Sequence, residues 1–406
     1  MSAVTLDEAL RLVTARAPEP ESRLCKLEAA HGRVLAADVV AGRDQPPFVS
    51  SAMDGYALIL LPDEVNLTDP FRVIGESQAG AAYKGALHVG EAVRIFTGAP
   101  VPSGTTHVIM QENIEREGDT IRIKAESLPD GNQTKTHIRP QGLDFQIGHT
   151  LLMAGERLDA WRLSLAASAG MGVLRVVKKP RIAILCAGNE LVPAGDLIGE
   201  DQIYESNSIA LINLVKTWGG KPKFQGLGRD DLETLTKRLA HISADLIVTV
   251  GGASVGDYDL IKPALRQLGY QADFEKVDLR PGRPTSFGVL PDGRCVLGLP
   301  GNPASALVCA QLFLKAFIDK TLGVADAPVM QLPLAEDLPA NGPREAFLRA
   351  QIVTDAKGQS RLLPFKDQDS ALIQIFARSN ALVRRAGHAP AAKAGDYLPF
   401  MPLARL

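Results

Sequence analysis

Between residues 181 and 320 the chain alternates short, β-branched apolar runs with helical patterns, and this alternation limits the folds it can adopt. The run Leu246–Val250 suits a strand that is buried on both faces. Helical periodicity covers residues 207–218, 230–242 (with Asp230 as the predicted N-cap) and 258–268, and a long apolar helix is predicted over 302–320. Strands that alternate with helices predict a mostly parallel sheet with both faces covered.

Three of these predicted strands end in loops rich in glycine and polar residues, at 187–190, 251–259 and 298–303. Ligands of open α/β sheets bind at the carboxyl ends of the strands, where free N–H groups suit a phosphate and paired carboxylates suit a metal ion. An ordinary glycine-rich turn with two solvated acids fits the second loop, taken alone, equally well. A cationic segment at 276–284 lies between the second and third loops, and together they indicate a phosphorylated or anionic ligand.

Composition and missing motifs exclude several classes of function. The formal net charge of −2 gives no basic excess for binding nucleic acid. No apolar run approaches the roughly 18 residues of a membrane span, and no secretory signal is recognisable. The four cysteines are scattered, which predicts reduced thiols in a soluble cytoplasmic protein. Walker and dinucleotide-binding glycine motifs are absent, so nucleotide hydrolysis and NAD binding are not supported.

The flanking regions are patterned differently. Short alternating runs separated by glycine and proline predict a β-rich module before residue 150 and a smaller β module after residue 333. In the first module, Asp54 lies in a polar loop before a strand, and Thr97 opens a rigid turn. Asp144 follows a cation and a glycine, while Arg349 and Ser370 are notable polar residues of the last module.

Five segments, in order, resemble the signature of the molybdopterin molybdenumtransferases, the MoeA family that is similar to the E domain of gephyrin. They are Pro46–Ala57, Thr97–Pro102, Gly251–Asp259, Pro281–Pro284 and Gly298–Pro303. The resemblance covers essentially the whole chain.

This resemblance implies a multidomain α/β fold with four domains in an elongated homodimer. The expected parts are a helical and extended dimerisation region (1–42 and 146–177), an inserted β-rich domain (43–145), a central MogA-like α/β domain with a mostly parallel sheet that binds molybdopterin (178–323), and a small C-terminal β-barrel-like domain (324–406).

The reaction implied by the resemblance inserts molybdate into the dithiolene of adenylylated molybdopterin, with Mg²⁺-dependent release of AMP. The upstream adenylyltransferase and the downstream cofactor acceptors are then possible partners, with no role for nucleic acid or membranes. The alternatives are a molybdopterin adenylyltransferase, which would not need residues 1–177 or the C-terminal module, and a non-catalytic molybdopterin carrier or scaffold. The sequence does not separate molybdate from tungstate.

Carried over position by position, the resemblance implies a set of catalytic residues: Asp54, Thr97, Asp144, Glu190, Asp230, Asp259, Lys276 and Arg280. The expected cofactor-binding residues are Gly251, Gly252, Ser254, Gly256, Pro281, Gly282, Pro300, Gly301, Asn302, Arg349 and Ser370. Mg²⁺ is expected at Glu190, Asp257 and Asp259, and molybdate at Arg280, Arg349 and Ser370, because a tetrahedral dianion needs several convergent donors. Asp54 and Thr97 are expected to approach from the partner subunit.

The chain departs from the family pattern in three loops. The segment His137–Asp144 keeps only part of a more basic and acidic motif. Cys186-Ala187-Gly188-Asn189-Glu190 stands where Ser-Thr-Gly-Asp-Glu is more usual, so one acid and two hydroxyls are missing. Arg280 and Arg283 replace lysines, which keeps the charge but exchanges a point charge for a planar fork.

Overall fold

The computed structural model describes residues 2–60, 69–124, 136–228, 231–251, 260–325, 328–354 and 356–403. The chain forms two compact units. Unit one comprises Met1–Ala37, Ala154–Asp159 and Leu174–Leu406, and unit two comprises Asp38–Met153 and Ala160–Val173. The finer division into four domains stays a prediction.

The α-helices are α1 Leu6–Ala15, α2 Ala160–Ser168, α3 Asn207–Thr217, α4 Leu232–Ala240, α5 Ile261–Gln267, α6 Pro303–Cys309, α7 Lys315–Leu322 and α8 Ile373–Arg378. A π-helical segment at Ala310–Leu314 separates α6 from α7, so the long helix predicted there is interrupted. The prediction of Asp230 as the cap of α4 was wrong, because Asp231 is the N-cap and its Oδ1 accepts a hydrogen bond from the Thr234 N–H (3.0 Å).

The first strands are β1 Ser22–Lys26, β2 Val39–Val40, β3 Ser50–Ser51, β4 Gly55–Leu58, β5 Phe71–Ser77, β6 Glu91–Ile95, β7 His107–Met110, β8 Ile114–Glu117, β9 Thr120–Ile123, β10 Ile138–Arg139, β11 Thr150–Leu152, β12 Val173–Val177 and β13 Arg181–Ala187. The remaining strands are β14 Leu191–Val192, β15 Ile203–Tyr204, β16 Lys221–Gly228, β17 Leu246–Val250, β18 Gln271–Phe274, β19 Leu279–Arg280, β20 Ser286–Val289, β21 Cys295–Leu299, β22 Met330–Pro333, β23 Glu345–Thr354, β24 Ser360–Pro364, β25 Ala381–Arg385 and β26 Tyr397–Pro402.

The central sheet of unit one has the order β16-β13-β17-β21-β20-β18. The first four strands are mutually parallel, and β20 and β18 are antiparallel additions. All five residues of β17 are buried, as the unbroken apolar run predicted. On one face Ile182 and Ile184 pack with α3, α6 and α7, and on the other Ala183 and Leu185 pack with α4 and α5. The prediction of a mostly parallel, doubly covered sheet is confirmed.

A second sheet of unit one has the order β19-β23-β25-β26-β22, with β24 paired to β23. Its edge strand β19 belongs to the cationic segment and pairs in parallel with β23, at Leu279↔Glu345 and Arg280↔Ala346. This pairing fixes the backbone of Arg280 against the C-terminal sheet.

Unit two contains a sheet of order β7-β4-β6-β5-β9-β8 around an apolar core that includes Leu58, Phe71 and Ile121. Strand β4 starts one residue after Asp54, and β3 pairs with β10, so the polar loop is anchored on both sides. The β-rich module predicted for this part of the chain is confirmed. Among the described residues no helix has the length and hydropathy needed to cross a membrane.

The turn after β19 gives a test of packing. Gly282 has a φ of +113°, and a Cβ there would lie 2.1 Å from Cys309 Sγ, whereas Gly293 has a φ of +87° and a Cβ there would have nothing within 4 Å. Both alanine substitutions strain the backbone, but only Gly282→Ala forces core atoms apart, which costs about 1–3 kcal/mol more. We expect a melting temperature several degrees below that of Gly293→Ala; equal melting temperatures would contradict the packing described here.

Candidate functional site

A large cavity of about 1060 Å³ opens at the carboxyl edge of the central sheet. Three adjacent parallel strands, β13, β17 and β21, end there, so their loops meet at one place. The described lining includes Gly188, Glu190, Gly251, Pro300, Gly301, Asn302, Glu205 and Asn207. We call this the first cavity.

Glycines allow these strand ends to approach one another closely. Gly251 has a φ of +84°, and a Cβ there would lie 2.4 Å from the Ala187 carbonyl oxygen. A Cβ on Gly301 would lie 3.7 Å from the Gly251 Cα. The cavity wall at this point is therefore backbone, which lets a ligand approach main-chain groups.

Glu190 folds back over the first of the three loops. A Cβ on Gly188 would lie 2.6 Å from each carboxylate oxygen of Glu190, so only glycine leaves room for this arrangement. The backbone of Glu190 is fixed because its carbonyl oxygen accepts a hydrogen bond from the Ile203 N–H (2.8 Å). The main chain of Glu190 is thus fixed at the first cavity, and its side chain is exposed there.

The first cavity also has a buried acid that sequence reasoning missed. Glu205 is 6% exposed, and its Oε1 accepts hydrogen bonds from the Ser208 N–H (2.7 Å) and the Cys186 Sγ–H (3.4 Å). Burial, and then the charge of Glu205, raise the pKa of the Cys186 thiol, which therefore stays a donor. The signal that could have found it is the polar run 205–208, placed directly before a helix after a strand.

The charged side chains in the described lining of the first cavity are all acidic. Its described lining contains Glu190 and Glu205 but no lysine or arginine. Among the described residues, therefore, backbone N–H groups are the donors available here to an anionic ligand, and a metal ion at the acids could also balance its charge.

A second cavity, of about 630 Å³, lies beside the C-terminal sheet. Its lining includes Arg280, Lys366, Asp367, Gln368, Asp369 and Arg385. The predicted cation Arg280 therefore lines a cavity, whereas Lys276 is exposed and lines neither cavity. Pro281 and Gly282 lie in the turn behind Arg280 and also line neither.

The segment 368–371 separates the two cavities. Gln368 and Asp369 line the second cavity and Ala371 lines the first. Between them, Ser370 Oγ accepts a hydrogen bond from Asn302 Nδ2 (2.9 Å), and the Ser370 carbonyl oxygen accepts one from the Ala304 N–H (3.0 Å). The structure thus brings together Asn302 and Ser370, both of which were predicted to be cofactor-binding residues.

Arg349 lies behind this segment and is fully buried. Its Nε donates to Gln368 Oε1 (3.2 Å), and its Nη1 donates to the Leu372 carbonyl oxygen (3.1 Å). Its Nη2 has no hydrogen-bond acceptor within the described part of the chain. Burial lowers the pKa of the guanidinium, and the charges of Asp367 and Asp369 oppose that shift. A buried arginine with a spare N–H group is suited to binding an anion.

In unit two, Asp54 and Thr97 form a pair. Asp54 Oδ1 accepts hydrogen bonds from the Thr97 N–H (2.7 Å) and the Thr97 Oγ1–H (2.8 Å). These two bonds hold the pKa of Asp54 below its ordinary value. The carboxylate is exposed and stays ionised at neutral pH.

The remaining predicted residues divide into two groups. Asp144 is exposed on a loop after β10, and this loop is organised by Asp44, which accepts hydrogen bonds from Gln141 Nε2 (2.6 Å) and the Ile147 N–H (2.8 Å). Sequence reasoning missed this role of Asp44. Six predicted residues lie outside the described residues: Asp230, Gly252, Ser254, Gly256, Asp257 and Asp259.

Comparison with known families matches nearly the whole chain. Residues 4–170 match the family described as "MoeA N-terminal region (domain I and II)". Residues 183–320 match "Probable molybdopterin binding domain", and residues 331–403 match "MoeA C-terminal region (domain IV)".

Individual relatives agree with these matches. The molybdopterin molybdenumtransferase of Haemophilus influenzae is 32% identical over 409 residues, covering 99% of this chain and 99% of the relative. The chain belongs to the molybdopterin molybdenumtransferase family. The family member from Nostoc sp. is 35% identical over 344 residues, covering 81% of this chain and 77% of the relative.

A solved structure of this MoeA family has the same fold. The molybdopterin biosynthesis MoeA protein of Pyrococcus horikoshii has a TM-score of 0.79 and 27% identity, and the match covers 99% of this chain and 100% of that one. These matches confirm the resemblance found in the sequence and the predicted multidomain α/β fold with its MogA-like domain. They also confirm that the protein is a transferase with a role in molybdenum cofactor biosynthesis.

The Asp54–Thr97 pair can be tested by titration. Thr97→Val removes the Oγ1–H donor but keeps the backbone N–H, so we expect the pKa of Asp54 to rise toward its ordinary value of 3.8. Because the pKa of Asp54 is lowered in the folded protein, the pair stabilises the fold at pH values above the ordinary pKa of 3.8. This stabilisation is lost as the pH falls through the lower pKa of the folded state. Carboxyl-carbon NMR measures the shift, with Thr105→Val in the same unit as the control. An unchanged Asp54 pKa would contradict the hydrogen bond.

Proposed function

We propose that this protein inserts molybdate into the dithiolene of adenylylated molybdopterin and releases AMP. The observation that carries this proposal is the position of two cavities on either side of the segment 368–371. A large cavity suits the nucleotide-bearing pterin, and a smaller one whose lining includes Arg280, Lys366 and Arg385 suits the oxyanion. The names of the relatives support the substrate class.

The pterin substrate is assigned to the first cavity. Its volume of about 1060 Å³ lies just above the roughly 300–1,000 Å³ typical for small-molecule sites, which suits a dinucleotide-sized ligand. The backbone at Gly251 and Gly301 is accessible there, and backbone N–H groups are suitable donors for phosphate oxygens.

Mg²⁺ is proposed as the counter-ion of the substrate phosphates. Glu190 would supply one oxygen ligand at a cavity whose described lining contains no cationic side chain, and no group of three or more metal-ligating side chains lies together among the described residues. Asp257 and Asp259 would supply the other carboxylates, and they lie outside the described residues. The ion, when bound, would stabilise negative charge on the departing AMP.

Molybdate is proposed to bind between the cavities, at Arg280, Arg349 and Ser370. Arg349 offers an N–H without an acceptor among the described residues, and Arg280 brings a second charge from the second cavity. Convergent, charge-assisted hydrogen bonds of this kind hold a tetrahedral dianion in a fixed orientation. An oxyanion there lies next to the ligand of the first cavity, and close approach of two bound reactants is a large part of catalysis.

The other predicted residues complete the proposal. Asp54, Asp144 and Lys276 are proposed as catalytic groups on the strength of the family pattern. A cytoplasmic homodimer is also proposed, and the four described cysteines, all free and buried, are consistent with a reducing compartment. A mass in solution of twice that of the chain would be the expected result of light scattering.

The test is AMP release from adenylylated molybdopterin with Mg²⁺, in the presence and absence of molybdate. We expect AMP release to depend on molybdate and to be accompanied by active cofactor. Tight pterin binding without AMP release would indicate a carrier instead, and AMP transfer onto molybdopterin from ATP would indicate an adenylyltransferase.

The position of molybdate leads to a matched pair of variants. Arg280→Gln removes a cation that lines the second cavity, and we expect the KM for molybdate to rise about tenfold or more, since a charge-assisted hydrogen bond is lost. Arg283→Gln removes an exposed cation of the same loop that lines neither cavity, and it should leave that KM unchanged. Equal effects of the two variants on the KM would contradict a specific role for Arg280.

A further inference from the structure

Asn207, the first residue of α3, has a feature that neither its helix nor its neighbours explain. Its side chain lines the first cavity, and its Oδ1 is buried. This oxygen has no hydrogen-bond donor in the part of the chain that the structure describes. A buried carbonyl oxygen without a donor is costly, so such an atom at a cavity wall points to a donor supplied by the ligand.

The orientation of the Asn207 amide is fixed by its other end. Nδ2 donates to the Gly301 carbonyl oxygen at 2.9 Å. A carbonyl oxygen can only accept, so exchanging the two amide atoms would place oxygen against oxygen. Oδ1 is therefore the atom left without a donor, and the strand end that carries Gly301 holds it in place.

The surroundings of Asn207 determine what kind of ligand group can bind there. Glu205, two residues earlier, is a buried carboxylate whose oxygens accept from Ser208 and Cys186. A phosphate placed beside this carboxylate and a carbonyl oxygen would be repelled from both. The α3 side of the cavity thus favours an uncharged part of the ligand that carries a hydrogen-bond donor.

We propose that Asn207 is a substrate-binding residue whose Oδ1 accepts a hydrogen bond from an uncharged N–H or O–H group of the ligand. This inference rests on the proposed function, which supplies a ligand with both kinds of donor: the pterin ring has N–H groups, and the adenylyl half has ribose hydroxyls. The same contact orients the ligand, because its phosphates must then lie away from the α3 side.

The test compares the two halves of the ligand on the full-length protein. Molybdopterin and AMP are titrated separately against wild type and Asn207→Ala, and we expect the variant to lose about tenfold in affinity for one of them and less than about twofold for the other. The half of the ligand for which the variant loses affinity is the half that donates the hydrogen bond to Oδ1. The control is Asn213→Ala on the same helix, whose Nδ2 donates to the Ile209 carbonyl oxygen and which does not line the first cavity, and it should leave both affinities unchanged.

A purely structural role for Asn207 gives a different pattern. Loss of the bond to Gly301 would distort the cavity and weaken both halves together, with a lower melting temperature, and this result would overturn the proposal. Unchanged affinity for both halves would overturn it as well, while leaving the proposed function intact. If wild type binds neither molybdopterin nor AMP, the proposed function itself fails.

Discussion

The arrangement of the candidate site depends on the short parallel pairing of β19 with β23. Arg280 belongs to β19 and Arg349 to β23, so this pairing places the two cations in one framework. The hydrogen bonds from Asn302 to Ser370 and from Ala304 to the Ser370 carbonyl oxygen join the same C-terminal sheet to the strand end at β21. The two cavities are consequently built by contacts between segments far apart in the chain.

Electrostatics distinguishes the two cavities. The described lining of the first has carboxylates without cationic side chains, whereas the second has Arg280, Lys366 and Arg385 among its acids. Arg349 lines neither cavity but is fully buried against the segment between them, where it bonds to Gln368 and Leu372, and its Nη2 has no acceptor among the described residues. Burying such a group costs free energy, and the binding of an anion would offset that cost. We therefore regard the boundary between the cavities as the centre of the site.

Much of the fold was predictable, because burial imposes periodicity. The apolar run of β17 and the alternation with helices predicted the parallel sheet, and the glycines at its strand ends predicted a ligand site there. The site residues that the sequence did not predict depend on tertiary contacts, which no local pattern encodes. Glu205 and Asn207 were missed because a polar run before a helix is ordinarily a cap, and Asp230 was mistaken for the cap because Asp231 beside it is chemically identical.

The most direct test of this account is the position of the oxyanion. A crystal of the protein soaked with tungstate, which matches molybdate in size and charge, would reveal the anion by its anomalous scattering. We predict a peak at about 3 Å from Arg349 Nη2 with Arg280 also in contact, beside the segment 368–371. A peak that avoids Arg349, with this guanidinium still lacking an acceptor, would contradict the assignment.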